Sequence, residues 1–226
     1  MEIYEKLWRE AAAAFARNEP QLNPYLHDKS RDRRRSVTLL LRPSLAVQAR
    51  LKFFLDSLKS VCPEQYFYQP EELHVTVLSI ISGTERWQEE MLKLPALRPI
   101  ISEVLAHQSP FHLQFRGLTA SPGSVMIQGF PAGDGLANIR NGLRAAFAHA
   151  GFGDLLDRRY PISGAHITVM RFRQPGVDWK RLLPLLEENR QTDFGEMKVD
   201  RLQLAFGDWY ASVNVVQTLE EYRLAG

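Results

Sequence analysis

The chain has 226 residues, 45% of them hydrophobic and 24% charged, with a formal net charge of +2. That length supplies a buried core for one large or two small domains, and so small a net charge excludes the global basic field that grips long nucleic acid. No apolar run approaches the ~20 residues of a membrane helix, and the Met1-Glu2 start lacks the basic and apolar regions of a signal peptide. The single cysteine, Cys62, excludes an intrachain disulfide, so a cytoplasmic protein is expected.

In the first 18 residues, Ile3, Leu7, Ala11 and Phe15 recur at helical spacing with Tyr4 and Trp8 adjoining, which predicts an amphipathic helix packed on the body. A polar loop follows and ends in RDRRR at 31–35, read as a solvated segment. Residues 1–35 thus form a helical extension to a body spanning 36–226. That body reads as two similar halves. The first runs strand 36–42, a helix from Ser44 as N-cap to about Val61, then a strand carrying LHVTVLSI and a helical stretch at 85–107. The second runs strands 111–118 and 124–130, a helix from about Asp134 to Ala150, then the strand AHITVMRF. A helix near 178–190 and two strands near 196–206 and 209–217 close it, the last opening on Trp209 and Tyr210. The fold class is α+β: two pseudo-symmetric lobes, each a mainly antiparallel sheet with helices outside, around a central cleft.

Two strands carry nearly the same phrase, HVTV from His74 and HITV from His166, 92 positions apart. Successive strand side chains point to opposite faces, so His74 and Thr76 share one face and Val75 and Val77 the other. His166 and Thr168 repeat the arrangement against Ile167 and Val169. A lone histidine in an apolar strand is usually a hydrogen-bonded structural residue, and His27, His107, His112 and His149 are left in that class. The paired motif instead suits two imidazoles dividing acid and base work, with two hydroxyls for the non-bridging oxygens of a phosphodiester. Neither motif has zinc-ligand spacing or the parts of a nucleophilic triad. Arg171, three residues after Thr168, falls on the opposite face by simple alternation and needs a bulge or a twisted strand end to join the others.

The two H-x-T-x motifs in duplicated α/β halves resemble the two-histidine (2H) phosphoesterase superfamily, which includes 2′-5′ RNA ligase-like proteins and cyclic nucleotide phosphodiesterases. The resemblance covers about 36–217 and implies that His74 and His166 act as acid and base, without assigning which is which. It implies that Thr76 and Thr168 hold phosphate, and it adds Arg171, since many members carry Arg five residues after the second motif histidine. LSIISG, with Ser79, Ser82 and Gly83, departs from the Phe-Leu-Gly ending common in the RNA ligase-like branch, and the extension through Arg35 lies outside the pattern.

The resulting expectation is a monomeric, metal- and cofactor-independent hydrolase of 2′,3′-cyclic phosphate at RNA ends or on small nucleotides. Alternatives are 2′-5′ RNA joining, hydrolysis of another cyclic phosphate, or non-catalytic binding of RNA ends or nucleotides. Tyr66, Tyr68 and Trp209 are candidates for stacking on a base, although core or rim packing serves any one of them as readily.

Overall fold

The computed structural model describes residues 2–156 and 164–225. Helix α1 (Glu2–Ala16) precedes β1 (Arg35–Leu41), α2 (Leu45–Val61), β2 (Tyr66–Phe67) and β3 (Val75–Thr84). Helices α3 (Trp87–Met91) and α4 (Leu94–Ala106) lead to β4 (Phe111–Ser121), β5 (Ser124–Pro131), α5 (Gly135–His149) and β6 (Ile167–Arg171). Helix α6 (Trp179–Glu188), β7 (Asp193–Val199), β8 (Arg201–Gly207) and β9 (Gln217–Arg223) complete the chain. The α+β class is the one the sequence pattern implies.

Among the described residues nine strands form one antiparallel sheet in the order β7-β4-β5-β6-β3-β1-β8-β9, with β2 added to β6. The similar units β1-α2-β3 and β5-α5-β6 lie on either side of the centre, so the two halves share one sheet. They meet where β3 pairs with β6, through Val75 opposite Ile167. Strands β7 and β8 are joined through Asp200 alone, although β4, β5, β6, β3 and β1 separate them in the sheet. The sheet must therefore curl back on itself.

Alternation decides which side chains meet the helices. Along β1, Val37, Leu39 and Leu41 enter the core while Ser36, Thr38 and Leu40 line the opposite surface. Helix α1 packs on β4, α2 on β7, and α4 on α5, burying Trp8, Phe15, Leu51, Leu58, Leu97, Ile101, Ile139 and Phe147. The Ser44 hydroxyl accepts from the Val47 amide and caps α2 as its position predicts.

Three local expectations are corrected. The helical stretch 85–107 breaks into α3 and α4, with Pro95 in the first turn of α4, where its missing N–H leaves no intrahelical bond unmade. Residues 209–216 form a loop and not a strand. Asp208 Oδ1 accepts from the Tyr210 and Ser212 amides, and Ala211 adopts φ +51°, so the ladder cannot continue. Nor is RDRRR uniformly solvated: Asp32 is buried, and its carboxylate accepts from Arg34 Nε at 2.8 Å and Nη2 at 2.7 Å.

The extension is built into the body. Tyr4 of α1 donates its hydroxyl to the Gly129 carbonyl at 3.0 Å and accepts from the Ala165 amide at 2.8 Å, one residue before His166. Gly129 permits this seam, because a Cβ there would lie 1.9 Å from the Ala165 carbonyl oxygen. Tyr4→Phe should cost about 1–3 kcal/mol by orphaning the buried Ala165 amide. Urea unfolding would measure it, and an unchanged midpoint would show the bond to be dispensable.

Candidate active site

One cavity lies on the helix-free surface of the sheet. His74, Thr76, His166, Thr168 and Arg171 all line it, together with Tyr68 and Trp209. Antiparallel register around Val75 and Ile167 sets His74 across from Thr168 and Thr76 across from His166. The imidazoles therefore sit on a diagonal, for which a residue separation of about 7–8 Å is usual. That is room for one tetrahedral anion between them.

Arg171 joins this surface through a bulge. Thr168 pairs with Met126 and Met170 with Val125, which leaves Val169 unmatched on the β5 side. One extra residue reverses the phase of alternation, so Val169 and Met170 are both buried and Arg171 returns to the face of His166 and Thr168. Strand β3 repeats the device. Leu40 pairs with Thr76 and Leu39 with Leu78, leaving Val77 unmatched, and Ser79 returns to the cavity. Ser79 follows His74 by five residues just as Arg171 follows His166. It is a site residue that sequence reasoning passed over, although this equal spacing would have found it.

The cavity has two chemical halves. Around the β3–β6 seam lie the histidines, the threonines and Arg171, whose Nε donates to the buried Tyr68 hydroxyl at 2.8 Å. Beyond Thr76 the floor is Ser79, Thr38, Ser36, Ala205 and Gly207, with Thr38 paired directly to Ser79 and to Ala205. Trp209 walls this second half, its ring carbons 3.3 and 3.6 Å from where a Gly83 Cβ would lie. Arg34 sits 5.4 Å from the Trp209 ring and 5.6 Å from the Tyr25 ring, forked on Asp32.

The aromatic expectations divide. Trp209 borders the cavity, from a loop and not from a strand. Tyr68 lines it too, but its hydroxyl is committed to Arg171. Tyr66 is not among the lining residues. Its ring lies between Tyr68 and Tyr210, and its hydroxyl contacts Glu72 at 2.9 Å and Lys29 Nζ at 3.1 Å. Among the other histidines, His27 bonds the Arg173 carbonyl and His107 the Glu103 carbonyl, both outside the cavity.

His74 Nδ1 lies 2.7 Å from the Glu72 carbonyl oxygen. A carbonyl only accepts, so Nδ1 carries the hydrogen and Nε2 is left for the cavity. Burial lowers the pKa of both imidazoles to about 4. Arg42 and Arg171 add to the effect at His74, and Arg171, His74 and Arg140 at His166. Both rings are then neutral at pH 7 without a ligand, and an anion seated between them would raise them. Behind the seam, Arg140 of α5 donates to the Val77, Thr76 and Gly164 carbonyls and ties the two motif strands together. Among the described residues no group of three or more His, Cys, Asp or Glu has the proximity to hold a metal ion, and no helix is long and apolar enough to cross a membrane.

A model of the 2′-5′ RNA ligase superfamily matches residues 42–206. The chain belongs to that superfamily, the 2H phosphoesterases. Its fold is similar to that of TT0787 of Thermus thermophilus, at 18% identity and a TM-score of 0.64, over 84% of this chain and 98% of that one. E. coli LigT complexed with 3′-AMP is similar at 14% identity and a TM-score of 0.55, over 85% of this chain and 99% of LigT. LigT has also been crystallised with NADP+, at 15% identity and a TM-score of 0.54. Comparison with curated proteins gives no match.

The histidine shifts carry a stability consequence with a definite sign. Folded values near 4 lie below the ordinary 6.5, so between them the unfolded chain binds more protons and stability falls as pH drops through that window. Urea midpoints from about pH 7 to 5, above the carboxylate range, should fall in the native protein. They should fall less in His74→Asn/His166→Asn. Equal slopes would show that the rings are not buried as neutral species.

Proposed function

We propose that this protein is a metal-independent phosphodiesterase that opens 2′,3′-cyclic phosphates of nucleotides or RNA ends by two-histidine acid–base catalysis. The observation that carries the reading is the convergence of both imidazoles, both threonine hydroxyls and Arg171 on one cavity. A binder of phosphate needs donors only; it has no use for two opposed imidazoles near the same anion. Superfamily membership supports the phosphoesterase or ligase class, and 2′-5′ joining would use the same proton transfers with a ribose hydroxyl in place of water.

The second half of the cavity supports a nucleoside as the group carried by the phosphate. Among the described residues its lining offers hydroxyls, small residues, Asp208 and an indole wall, and no basic side chain. Sugar hydroxyls suit Ser79, Thr38 and Ser36, and Ala205 and Gly207 leave room above them. Along the seam Arg171 comes first, then His74 with Thr168, then His166 with Thr76, then Ser79 and Trp209. A nucleoside over Ser79 puts its departing oxygen beside His166 and leaves the far side of phosphorus, where water must attack in line, beside His74.

His74 is thus read as the base and His166 as the acid. His74 Nε2 takes a proton from water while the water oxygen bonds to phosphorus. The P–O bond to the ribose breaks, and His166 delivers its proton to that oxygen. Thr76, Thr168 and Arg171 hold the non-bridging oxygens, where negative charge increases.

Incubation with 2′,3′-cyclic AMP in EDTA, with products resolved by chromatography, tests the activity. Turnover should persist in chelator, and either His→Ala change should lower it about 10²–10⁴-fold. Thr76→Val or Thr168→Val should cost about 1–3 kcal/mol of transition-state stabilisation. The pH profile should be bell-shaped. In kcat/KM, which reports the unliganded protein, the limbs should lie to the acid side of those in kcat, because bound phosphate raises both imidazoles. Residual activity of His74→Ala should lose the acidic limb and that of His166→Ala the basic one. The reverse pattern would exchange the roles, and loss of all turnover in EDTA would refute the mechanism.

A further inference from the structure

Glu72 precedes the first motif by two residues and is 3% exposed. Its carboxylate gathers three separate pieces of the chain. Oε2 accepts from the Tyr66 hydroxyl of β2 at 2.9 Å and from the Gln69 amide at 2.9 Å. Oε1 lies 3.4 Å from the Val213 amide in the 208–216 loop and 3.8 Å from Lys29 Nζ. Lys29 in turn donates to Ser212 Oγ at 2.7 Å and to the Tyr66 hydroxyl, with its ammonium 4.9 Å from the Tyr66 ring centre. Such a carboxylate costs several kcal/mol to withdraw from water, and only this density of donors offsets it. The same residue's backbone carbonyl receives the Nδ1 hydrogen of His74.

We propose that Glu72, held by Lys29 from the segment preceding the family-matched core, is a positioning residue that fixes the orientation and tautomer of His74. Lys29 lies outside the matched residues 42–206, so the extension supplies part of this site. With the carboxylate anchored, the turn at Pro70–Glu72 cannot rotate, and its carbonyl stays aimed at Nδ1. Nε2 then faces the cavity. Tyr66 is kept protonated as a donor by burial and by Glu72, which push its pKa up. The charged and titratable groups facing His74 are Arg42 from just past the end of β1, Arg171 and His166 from the β6 side, and Tyr68 and Glu72 from its own approach.

The inference rests on reading His74 as the proton-transferring group, so one arm of its test is independent of turnover. In the full-length protein, ¹⁵N-resolved NMR of the His74 ring should show the Nδ1–H tautomer in the native chain. Glu72→Gln and Lys29→Met should mix the tautomers, while Lys29→Arg should restore the native signal. With 2′,3′-cyclic AMP as substrate, Glu72→Gln should lower kcat about 10–100-fold. Lys29→Met should lower it less, with KM changed little in both and the limb assigned to His74 displaced. If the reaction fails in the native protein while the tautomer responds as expected, the function is wrong and the positioning stands. A native tautomer in Lys29→Met with an undisplaced pH profile would overturn the positioning, and that variant, changed at a half-exposed side chain, is expected to fold even if Glu72→Gln does not.

Discussion

Everything at this site depends on two strands changing phase. A regular strand could bring His166 and Thr168 to one surface, but it would send Arg171 into the core with Val169. One unmatched residue, Val169, reverses that outcome, and Val77 does the same for Ser79. The buried side of each strand tolerates the change because two consecutive apolar residues, Val77-Leu78 and Val169-Met170, both find places in the core. The site's geometry is therefore paid for by hydrophobic packing on the far side of the sheet.

The same curled sheet creates an electrostatic conflict that, in the proposed mechanism, a phosphate resolves. Two imidazoles and two guanidiniums, Arg42 and Arg171, crowd a region withdrawn from water, so the unliganded rings give up their protons. A bound anion reverses the balance by attracting the protonated form. Under the proposed mechanism, proton occupancy and substrate occupancy become linked, and the histidine read as the acid is charged when there is something to donate to. Arg140 and Tyr4 hold the seam from behind without entering the cavity, which lets it stay open without loosening the strands.

Much of this was legible in the sequence. His-x-Thr-x strands announce themselves because polar residues on one face of an apolar run need a reason, and helix α2 is marked by its Ser44 cap. Alternation said that Arg171 needs a bulge or a twisted strand end to join the motif face, and the family resemblance is what made it a candidate. What escaped was non-local. Nothing near Glu72 or Lys29 in the chain says that they meet, since 43 positions separate them and the contact exists only once the sheet has curled. Strand-like composition at 209–216 concealed a loop, because the deciding interaction was a single Asp208 carboxylate taking two backbone donors. Tyr66 read as a stacking candidate by proximity to the motif, and it does sit opposite Arg171 in the sheet, yet its hydroxyl is taken by Glu72 and Lys29.

The passage from β7 to β8 through Asp200 has a consequence for how the molecule assembles. The chain leaves one edge of the sheet and enters near the other with no linker to absorb movement. The first half cannot complete its hydrogen-bonded ladder by itself: β8 belongs beside β1, and a single residue joins it to β7, which belongs beside β4. Pairings of such long sequence separation carry a large loop-closure cost and slow folding toward the millisecond-to-second range. The two halves are in this way sewn together, so that the sheet around the first motif strand is complete only when the last strands of the chain have docked.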